Sequence, residues 1–79
     1  MRDLVEFLVR SLVDHPESVR VEELDDGGDI VIEVHVAGDD LGRVIGRDGR
    51  VANAIRTLAK AAATAQGEGR VLVEIIEDD

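Results

Sequence analysis

The sequence predicts an α+β domain in which three helices pack on one face of a three-stranded sheet, in the order α-β-β-α-α-β. Three patterns support this: an apolar stripe at helical spacing opens the chain, strict alternation marks a strand over residues 30–36, and a Gly-Arg-Asp-Gly turn separates two helical segments. The chain has 79 residues, 44% of them hydrophobic, and no cysteine, which suits one small core without disulfides. We expect a single domain over residues 1–79, and a complete small protein.

The first half of the chain predicts a helix followed by a hairpin. The helix runs from Asp3 to Val13, and Pro16 ends it because the residue before a proline is driven out of helical conformation. A short polar strand and an Asp/Gly-rich turn over residues 25–29 follow, and the next strand is the clearest in the chain. The apolar positions in these three elements are Val5, Leu8, Val9 and Leu12, then Val19, Val21 and Leu24, then Ile30, Ile32, Val34 and Val36.

The second half predicts two helices and a last strand. Gly38-Asp39-Asp40 breaks the preceding strand and offers an N-cap for a short helix from Leu41 to Ile45. A longer helix runs from Arg50 to Ala65 and is ended by Gly67 and Gly69, after which residues 71–76 form a strand. The predicted inward face of this longer helix consists of Val51, Ile55, Leu58 and Ala62.

Charge is distributed unevenly along the chain. The net charge is −9, but residues 43–60 carry +4, which leaves −13 on the rest. An acidic surface usually serves solubility, whereas a basic stripe inside an acidic protein indicates that binding to an anion is confined to one face. The single aromatic residue, Phe7, argues against nucleic-acid modules that stack bases on aromatic side chains.

The segment from Val44 to Arg56 is the most informative in the chain. Glycines at both ends of the Gly-Arg-Asp-Gly turn allow a tight bend and a close approach of a ligand, and the second glycine opens a helix whose first N–H groups lack helical partners. This segment resembles the KH domain signature, in which an aliphatic pair is followed by G-x-x-G and then by apolar residues at helical spacing, here Val51 and Ile55. The order of elements is similar to the bacterial type II arrangement, and the chain looks most like the small single-domain KhpA family.

This resemblance implies a binding site for four single-stranded nucleotides in a groove between the paired helices and a strand. Gly46, Arg47, Asp48 and Gly49 would form the clamp, with Arg47 as the first candidate for a phosphate contact and Arg50 as the second. Some of the flanking Val44, Ile45 and Val51 would line the groove, and Arg43 and Arg56 could extend the track of positive charge. These residues also have structural interpretations: the glycines could form a plain turn, Ile45, Ile55 and Leu58 are assigned first to the core, and Arg56 and Lys60 suit a solvated face equally well.

Asp48 departs from the family pattern, which commonly holds basic or polar residues in the two variable positions of the clamp. A carboxylate beside a phosphate at an exposed site costs on the order of 1 kcal/mol, a few-fold in affinity. Asp48 could alternatively cap the following helix. We therefore expect weak binding by one domain, in the micromolar range or poorer.

Weak binding makes partners important, because two linked surfaces gain affinity through effective concentration. The resemblance implies self-association and pairing with a larger KH-containing protein of the KhpB or Jag type, an RNA chaperone or post-transcriptional regulator role, and a link to cell elongation and division. Alanines in the long helix suit close packing, although simple helix propensity accounts for them equally well. The alternative is a protein-interaction adaptor that keeps the KH fold but has little affinity for RNA.

Several other functions are not expected. The turn is neither a Walker loop nor a dinucleotide fingerprint, and no nucleophile or carboxylate pair stands at a recognisable catalytic spacing. His15 and His35 are isolated, so neither a metal nor a cofactor is expected. No apolar run is long enough to span a bilayer and no signal segment opens the chain, so the expected location is the cytoplasm.

Overall fold

A computed structural model of the chain, which describes residues 1–78, has the predicted α+β architecture and element order. Single turns of 3-10 helix lie at Pro16–Ser18, Gly38–Asp40 and Arg47–Gly49. The first helix begins and ends one residue earlier than predicted, and the other boundaries lie close to their predicted places. The elements are α1 (Arg2–Leu12), β1 (Arg20–Asp26), β2 (Asp29–Ala37), α2 (Leu41–Ile45), α3 (Arg50–Ala65) and β3 (Val71–Asp78).

The three strands form one mixed sheet in the order β1-β2-β3. β1 and β2 are antiparallel and joined by a hairpin, whereas β2 and β3 are parallel, with Val34 lying between Val21 and Ile75. A parallel neighbour requires a crossover of a dozen or more residues, and the segment holding α2 and α3 provides it. The predicted clamp therefore lies in the middle of the crossover, between its two helices.

The core lies between the helices and one face of the sheet. Val21, Ile32, Val34 and Val73 project from that face, and Val5 and Val9 of α1 and Ile55 of α3 pack with them. Strand residues of opposite parity face the other way, which explains why Leu24, expected in the first strand's apolar set, is 44% exposed. This outer face carries three glutamates directly opposite one another, Glu22, Glu33 and Glu74.

The inward face of α3 differs from the prediction at three of four positions. Only Ile55 of the predicted set is fully in the core, whereas Leu58 is 49% exposed and Val51 and Ala62 are half-buried. The residues that face the sheet are Ala52, Ile55, Ala59 and Ala63. Small side chains let the helix lie close against the sheet, and the larger residues then face outward along its flanks. Three of the seven alanines of this helix, Ala52, Ala59 and Ala63, are thus buried in the core.

Glycine ends α3 in a specific way. Gly67 adopts left-handed backbone angles, the N–H of Glu68 donates to the Ala63 carbonyl at 2.9 Å, and the N–H of Gly67 donates to the Thr64 carbonyl at 3.1 Å. This is the Schellman arrangement, which satisfies the last carbonyls of a helix and turns the chain sharply. The turn returns the chain to the sheet beside β2 and so fixes where β3 begins.

Both edges of the sheet are held by an arginine from a helix. Arg2 of α1 donates through Nε to the Val21 carbonyl on the free edge of β1 at 2.8 Å. Arg56 of α3 donates through Nε to the Val73 carbonyl on the free edge of β3 at 3.3 Å. We call Arg2 and Arg56 the edge arginines. Each attaches a helix to an edge strand through a backbone carbonyl that the sheet itself leaves unpaired.

Candidate nucleic-acid interface

The Gly-Arg-Asp-Gly turn is a single 3-10 turn between α2 and α3. Gly46 ends α2, with its N–H donating to the Gly42 carbonyl at 2.8 Å, and Gly49 donates back to the Gly46 carbonyl at 3.2 Å. The N–H of Arg50 donates to the Arg47 carbonyl. Two of the donors expected to be free at the start of α3 are therefore used to hold the turn. In residues 1–78 no side chain caps α3, so its remaining first-turn N–H groups face the turn without a capping oxygen.

Gly46 is required by both its backbone and its surroundings. Its angles, φ 76° and ψ 174°, belong to a region that is essentially closed to residues with a Cβ. A Cβ built on Gly46 would lie 2.4 Å from Val51 Cγ2 and 2.9 Å from the Val51 backbone N. Gly49 has φ 75° but open space around it, since its Cβ would meet only the Asn53 amide at 4.0 Å. The two glycines of the motif therefore do different jobs, close packing at Gly46 and backbone conformation at Gly49.

Asp48 is the only non-glycine residue with positive φ among those described, at φ 55° and ψ 26°. Aspartate and asparagine visit this left-handed conformation more readily than other side chains do. The alternative role as a cap of α3 is not seen, because Gly49 occupies the N-cap position and no capping hydrogen bond forms there. The conformation of the turn thus gives a physical reason for the departure from the family pattern.

The basic residues near the turn fall into two groups. Arg47 and Arg50 are exposed, and neither forms an ion pair within the described part of the chain. Arg43 is engaged instead by Asp14 at 2.9 Å and lies 3.9 Å from Asp40. Arg43 therefore braces α2 against the segment after α1, and its predicted contribution to the positive track is reduced by two carboxylates.

Asp40 lies at the predicted N-cap of α2, but its side chain has a structural role elsewhere. Its side chain is 1% exposed and accepts hydrogen bonds from the backbone N–H groups of Asp14 and His15 at 2.9 and 3.0 Å. Burial by itself raises the pKa of this carboxyl, but the two backbone donors, with His15 and Arg43 nearby, outweigh it and hold the pKa below its ordinary value of 3.8. Asp40 thereby ties the start of α2 to the chain that leaves α1.

The aliphatic residues around the clamp do not all face the same way. Val44 is fully buried in the core, so it is not among the flanking residues that can line a groove, although it is one of the predicted site residues. Ile45, assigned first to the core, is 37% exposed instead. Val51 is half-buried against Gly46. Of the three predicted groove residues, Ile45 and Val51 have surface to offer a ligand.

A second surface lies between α1 and α3, next to the clamp. Phe7, Leu8 and Leu12 of α1 face Ala54 and Leu58 of α3 across a groove of about 360 Å³, which reaches Arg50 and Val51 beside the clamp. Phe7 is 68% exposed and Leu58 is 49% exposed. We call these five residues the apolar α1–α3 face. Helical periodicity alone assigned Leu8, Leu12 and Leu58 to the core, and the structure shows that nothing in residues 1–78 covers them fully.

One group of side chains has the composition of a metal site. Glu22, Glu33 and His35, on adjacent strands of the outer sheet face, bring their ligand atoms within 4.8 Å of one another. His35 Nε2 is buried without a hydrogen-bond partner in the described chain, and lies 3.6 Å from Glu33 Oε1. His35 looks isolated in the sequence because its neighbour Glu22 arrives through the hairpin.

No helix of the described chain is long and apolar enough to cross a membrane.

Comparison with known proteins agrees with this geometry. The family described as KhpA/KhpB, KH domain, matches residues 2–75. RNA-binding protein KhpA of Halalkalibacterium halodurans is 51% identical over 77 residues, covering 98% of this chain and 100% of that protein. RNA-binding protein KhpA of Mycobacterium tuberculosis is 47% identical over 77 residues, covering 98% of this chain and 91% of that protein.

A solved structure shows the same fold at low sequence identity. Era, crystallised with MgGDPNP and nucleotides 1506–1542 of 16S ribosomal RNA, matches 96% of this chain with a TM-score of 0.64 and 19% identity. The match covers 29% of that protein, so it concerns one part of a larger molecule. The relatives that cover the whole chain carry the name of an RNA-binding protein, and their family is not an enzymatic one. The sequence, the type II fold and these relatives agree: the chain belongs to the KhpA/KhpB family of KH domains.

Proposed function

We propose that this domain binds single-stranded RNA through the clamp formed by Gly46, Arg47, Asp48 and Gly49. The observation that carries the proposal is the clamp itself: two glycines with positive φ hold a turn at the start of a 16-residue helix, beside two exposed arginines without carboxylate partners in residues 1–78. A phosphate there meets the positive end of the α3 dipole and two charge-assisted donors. Phosphate contacts of this kind hold a strand in place without reading its sequence.

The bases would lie against aliphatic surface beside the clamp. Ile45 and Val51 offer that surface, since Ile45 is 37% exposed and Val51 is half-buried. The chain has a single aromatic residue, Phe7, so base stacking on aromatic rings cannot supply the affinity. Asp48 adds a negative charge within the clamp, which costs on the order of 1 kcal/mol against a phosphate. Binding by one copy is therefore weak, in the micromolar range or poorer.

The test is a titration of labelled single-stranded RNA, followed by fluorescence anisotropy at two salt concentrations. Arg47→Asp removes the first phosphate contact, and Arg20→Asp is the control because Arg20 is an exposed arginine on β1, the far edge strand. We expect saturable binding that weakens with salt, is lost in Arg47→Asp and persists in Arg20→Asp. Equal loss of RNA binding in both variants would show that the loss comes from the change in net charge and not from the clamp. No binding by the unaltered protein would favour the alternative, an adaptor with little affinity for RNA.

Association with a second KH surface is the other part of the proposal. The apolar α1–α3 face supports it, because Phe7 and Leu58 expose large apolar side chains beside a groove on a chain that otherwise carries a net charge of −9. We propose a homodimer, or a heterodimer with a larger KhpB-like or Jag-like protein, formed through this face. Acidic copies repel one another, so salt strengthens this association while it weakens RNA binding. The opposite responses to salt separate the two activities.

Two leucines with similar exposure provide a matched test of the association. Leu58 on the apolar α1–α3 face is 49% exposed, and Leu24 on the outer sheet face is 44% exposed. Sedimentation analysis of Leu58→Ser is expected to show a shift towards monomer, while Leu24→Ser leaves the distribution unchanged. A shift in neither variant, with the unaltered protein dimeric, would place the interface elsewhere. If Arg47→Asp abolishes RNA binding but not association, the RNA-binding role stands apart from the adaptor role.

The cellular role follows from these two properties. A small domain over residues 1–79 that binds unstructured RNA weakly and pairs with a second KH protein suits an RNA chaperone or post-transcriptional regulator in the cytoplasm. Joining two weak surfaces raises the effective concentration of the second, so affinity rises without any new contact. We expect cells that carry Arg47→Asp at normal protein levels to lose the growth-related function of this protein.

A further inference from the structure

A concave pocket of about 340 Å³ lies where the end of α3 meets the start of β3, away from the clamp. Lys60 and Thr64 line it from the helix, and Gly69, Arg70 and Val71 line it from the loop and strand. Its shape is fixed by backbone contacts. The N–H of Ile30 donates to the Arg70 carbonyl at 2.8 Å, and Gly69 sits so close to the hairpin that a Cβ there would lie 3.1 Å from the Gly28 carbonyl oxygen.

The pocket contains two uncompensated positive charges. Lys60 and Arg70 are both exposed, and neither has a carboxylate within ion-pair distance anywhere in residues 1–78. Glu68 is a neighbour of Arg70 in sequence but does not pair with it. The Thr64 hydroxyl is engaged as a donor to the Lys60 carbonyl at 3.0 Å. The donors available to a ligand in this pocket are therefore the ammonium and the guanidinium, which suit an anion.

The flank of α3 that faces β3 carries a further basic residue near this pocket. Arg56 lies one turn before Lys60 and reaches the Val73 carbonyl on the open edge of β3 at 3.3 Å. Arg56 and Lys60 thus lie one turn apart along the seam between α3 and β3. At about 1.5 Å per residue, Lys60 lies roughly 15 Å beyond Arg50 along the helix. At about 3.4 Å per nucleotide of a stacked strand, that distance is about four nucleotides.

We propose that Lys60 and Arg70 form a phosphate subsite for RNA that continues past the four-nucleotide groove. This inference rests on the proposed RNA-binding function and extends it to the length of strand that the domain holds. The subsite contacts backbone phosphates only, so it adds affinity for longer strands without adding sequence preference.

The experiment compares two pairs of substitutions that change charge equally. Lys60→Gln with Arg70→Gln removes the subsite, and Arg10→Gln with Arg20→Gln removes two exposed arginines of α1 and β1. Random-sequence RNA pools of eight and of four nucleotides are titrated against each protein, the shorter pool by competition. We expect the subsite pair to weaken octamer binding about tenfold and to leave tetramer binding within twofold. The control pair should change neither by more than about twofold, and the salt slope for the octamer should fall by about 1.4 only in the subsite pair.

The outcomes separate this inference from the function on which it rests. Equal effects of the two pairs, or no effect of the subsite pair, would overturn the subsite while leaving the clamp intact. Equal weakening of tetramer and octamer would also overturn it, because Lys60 and Arg70 would then act inside the groove. If the unaltered protein binds neither pool, the proposed function fails and the subsite fails with it.

Discussion

Replacing the two glycines of the clamp one at a time should destabilise the domain by different amounts. In Gly46→Ala the new methyl group would stand 2.4 Å from Val51 Cγ2 and 2.9 Å from the Val51 backbone N, which cannot rotate away. The backbone angles at Gly46 add about 1–3 kcal/mol of strain, and forcing a methyl into a packed site adds about 1–3 kcal/mol. In Gly49→Ala the space is open and only the left-handed conformation is penalised, by about 1–2 kcal/mol.

These costs are large for a small domain. A chain of this length is expected to have a free energy of unfolding of about 4–12 kcal/mol, so Gly46→Ala removes a substantial part of it. Urea unfolding followed by far-ultraviolet circular dichroism gives the midpoint and slope for each variant. We expect both variants to unfold earlier, and Gly46→Ala to lose at least about 1 kcal/mol more than Gly49→Ala. A loss in Gly49→Ala equal to or larger than that in Gly46→Ala would refute the packing role of Gly46.

Three further predictions concern the charged residues around the clamp. Asp48→Asn keeps a side chain that tolerates the left-handed conformation but removes the negative charge. RNA affinity in the anisotropy assay should therefore rise a few-fold, while the urea midpoint stays unchanged. Weaker RNA binding would contradict the repulsion assigned to Asp48. Asp40→Asn should lower the urea midpoint more at pH 7 than at pH 3. The pKa of Asp40 is lower in the folded protein than its ordinary value of 3.8, so its contribution to stability is present above pH 3.8 and is lost as the pH falls through the pKa of the folded state. An equal loss at both pH values would oppose this. Arg43→Gln should weaken RNA binding less than twofold where Arg47→Gln weakens it about fivefold, since Asp14 already engages Arg43; the reverse order would restore Arg43 to the RNA track.

The elements of the fold are predictable from local patterns. α1 and β2 show clean periodicities, and two of the three positive φ angles in the clamp fall on glycines, so the existence and order of these elements follow from residues close together in the chain. The pairing of β1 with β2 also follows, because the short turn at residues 25–29 predicts a hairpin, whereas the place of β3 beside β2 does not follow from the sequence. Each of these conclusions depends on short-range geometry.

The errors arise where a residue's role depends on distant parts of the chain. α3 is apolar on two flanks, and the sequence does not reveal that Ala59, rather than Leu58, faces the sheet. Size alone favours Leu58 for the core, but the close approach of helix and sheet favours the smaller Ala59. The sequence predicts Arg43 in the track of positive charge and does not reveal its partner Asp14, which lies 29 positions earlier. Asp40 became a buried anchor because the chain after α1 presents two N–H groups to it.

The edge arginines limit the ways in which this small sheet can grow. A three-stranded sheet has two open edges, and an open edge is a template on which another chain can add a strand. Here Arg2 occupies the Val21 carbonyl on one edge and Arg56 occupies the Val73 carbonyl on the other, so an incoming strand would first have to displace a guanidinium at either side. An arginine at each edge thus protects the sheet against the addition of a strand from another chain. Arg56→Ala should therefore make concentrated protein more prone to amyloid-type aggregation, a cost separate from any change in RNA affinity.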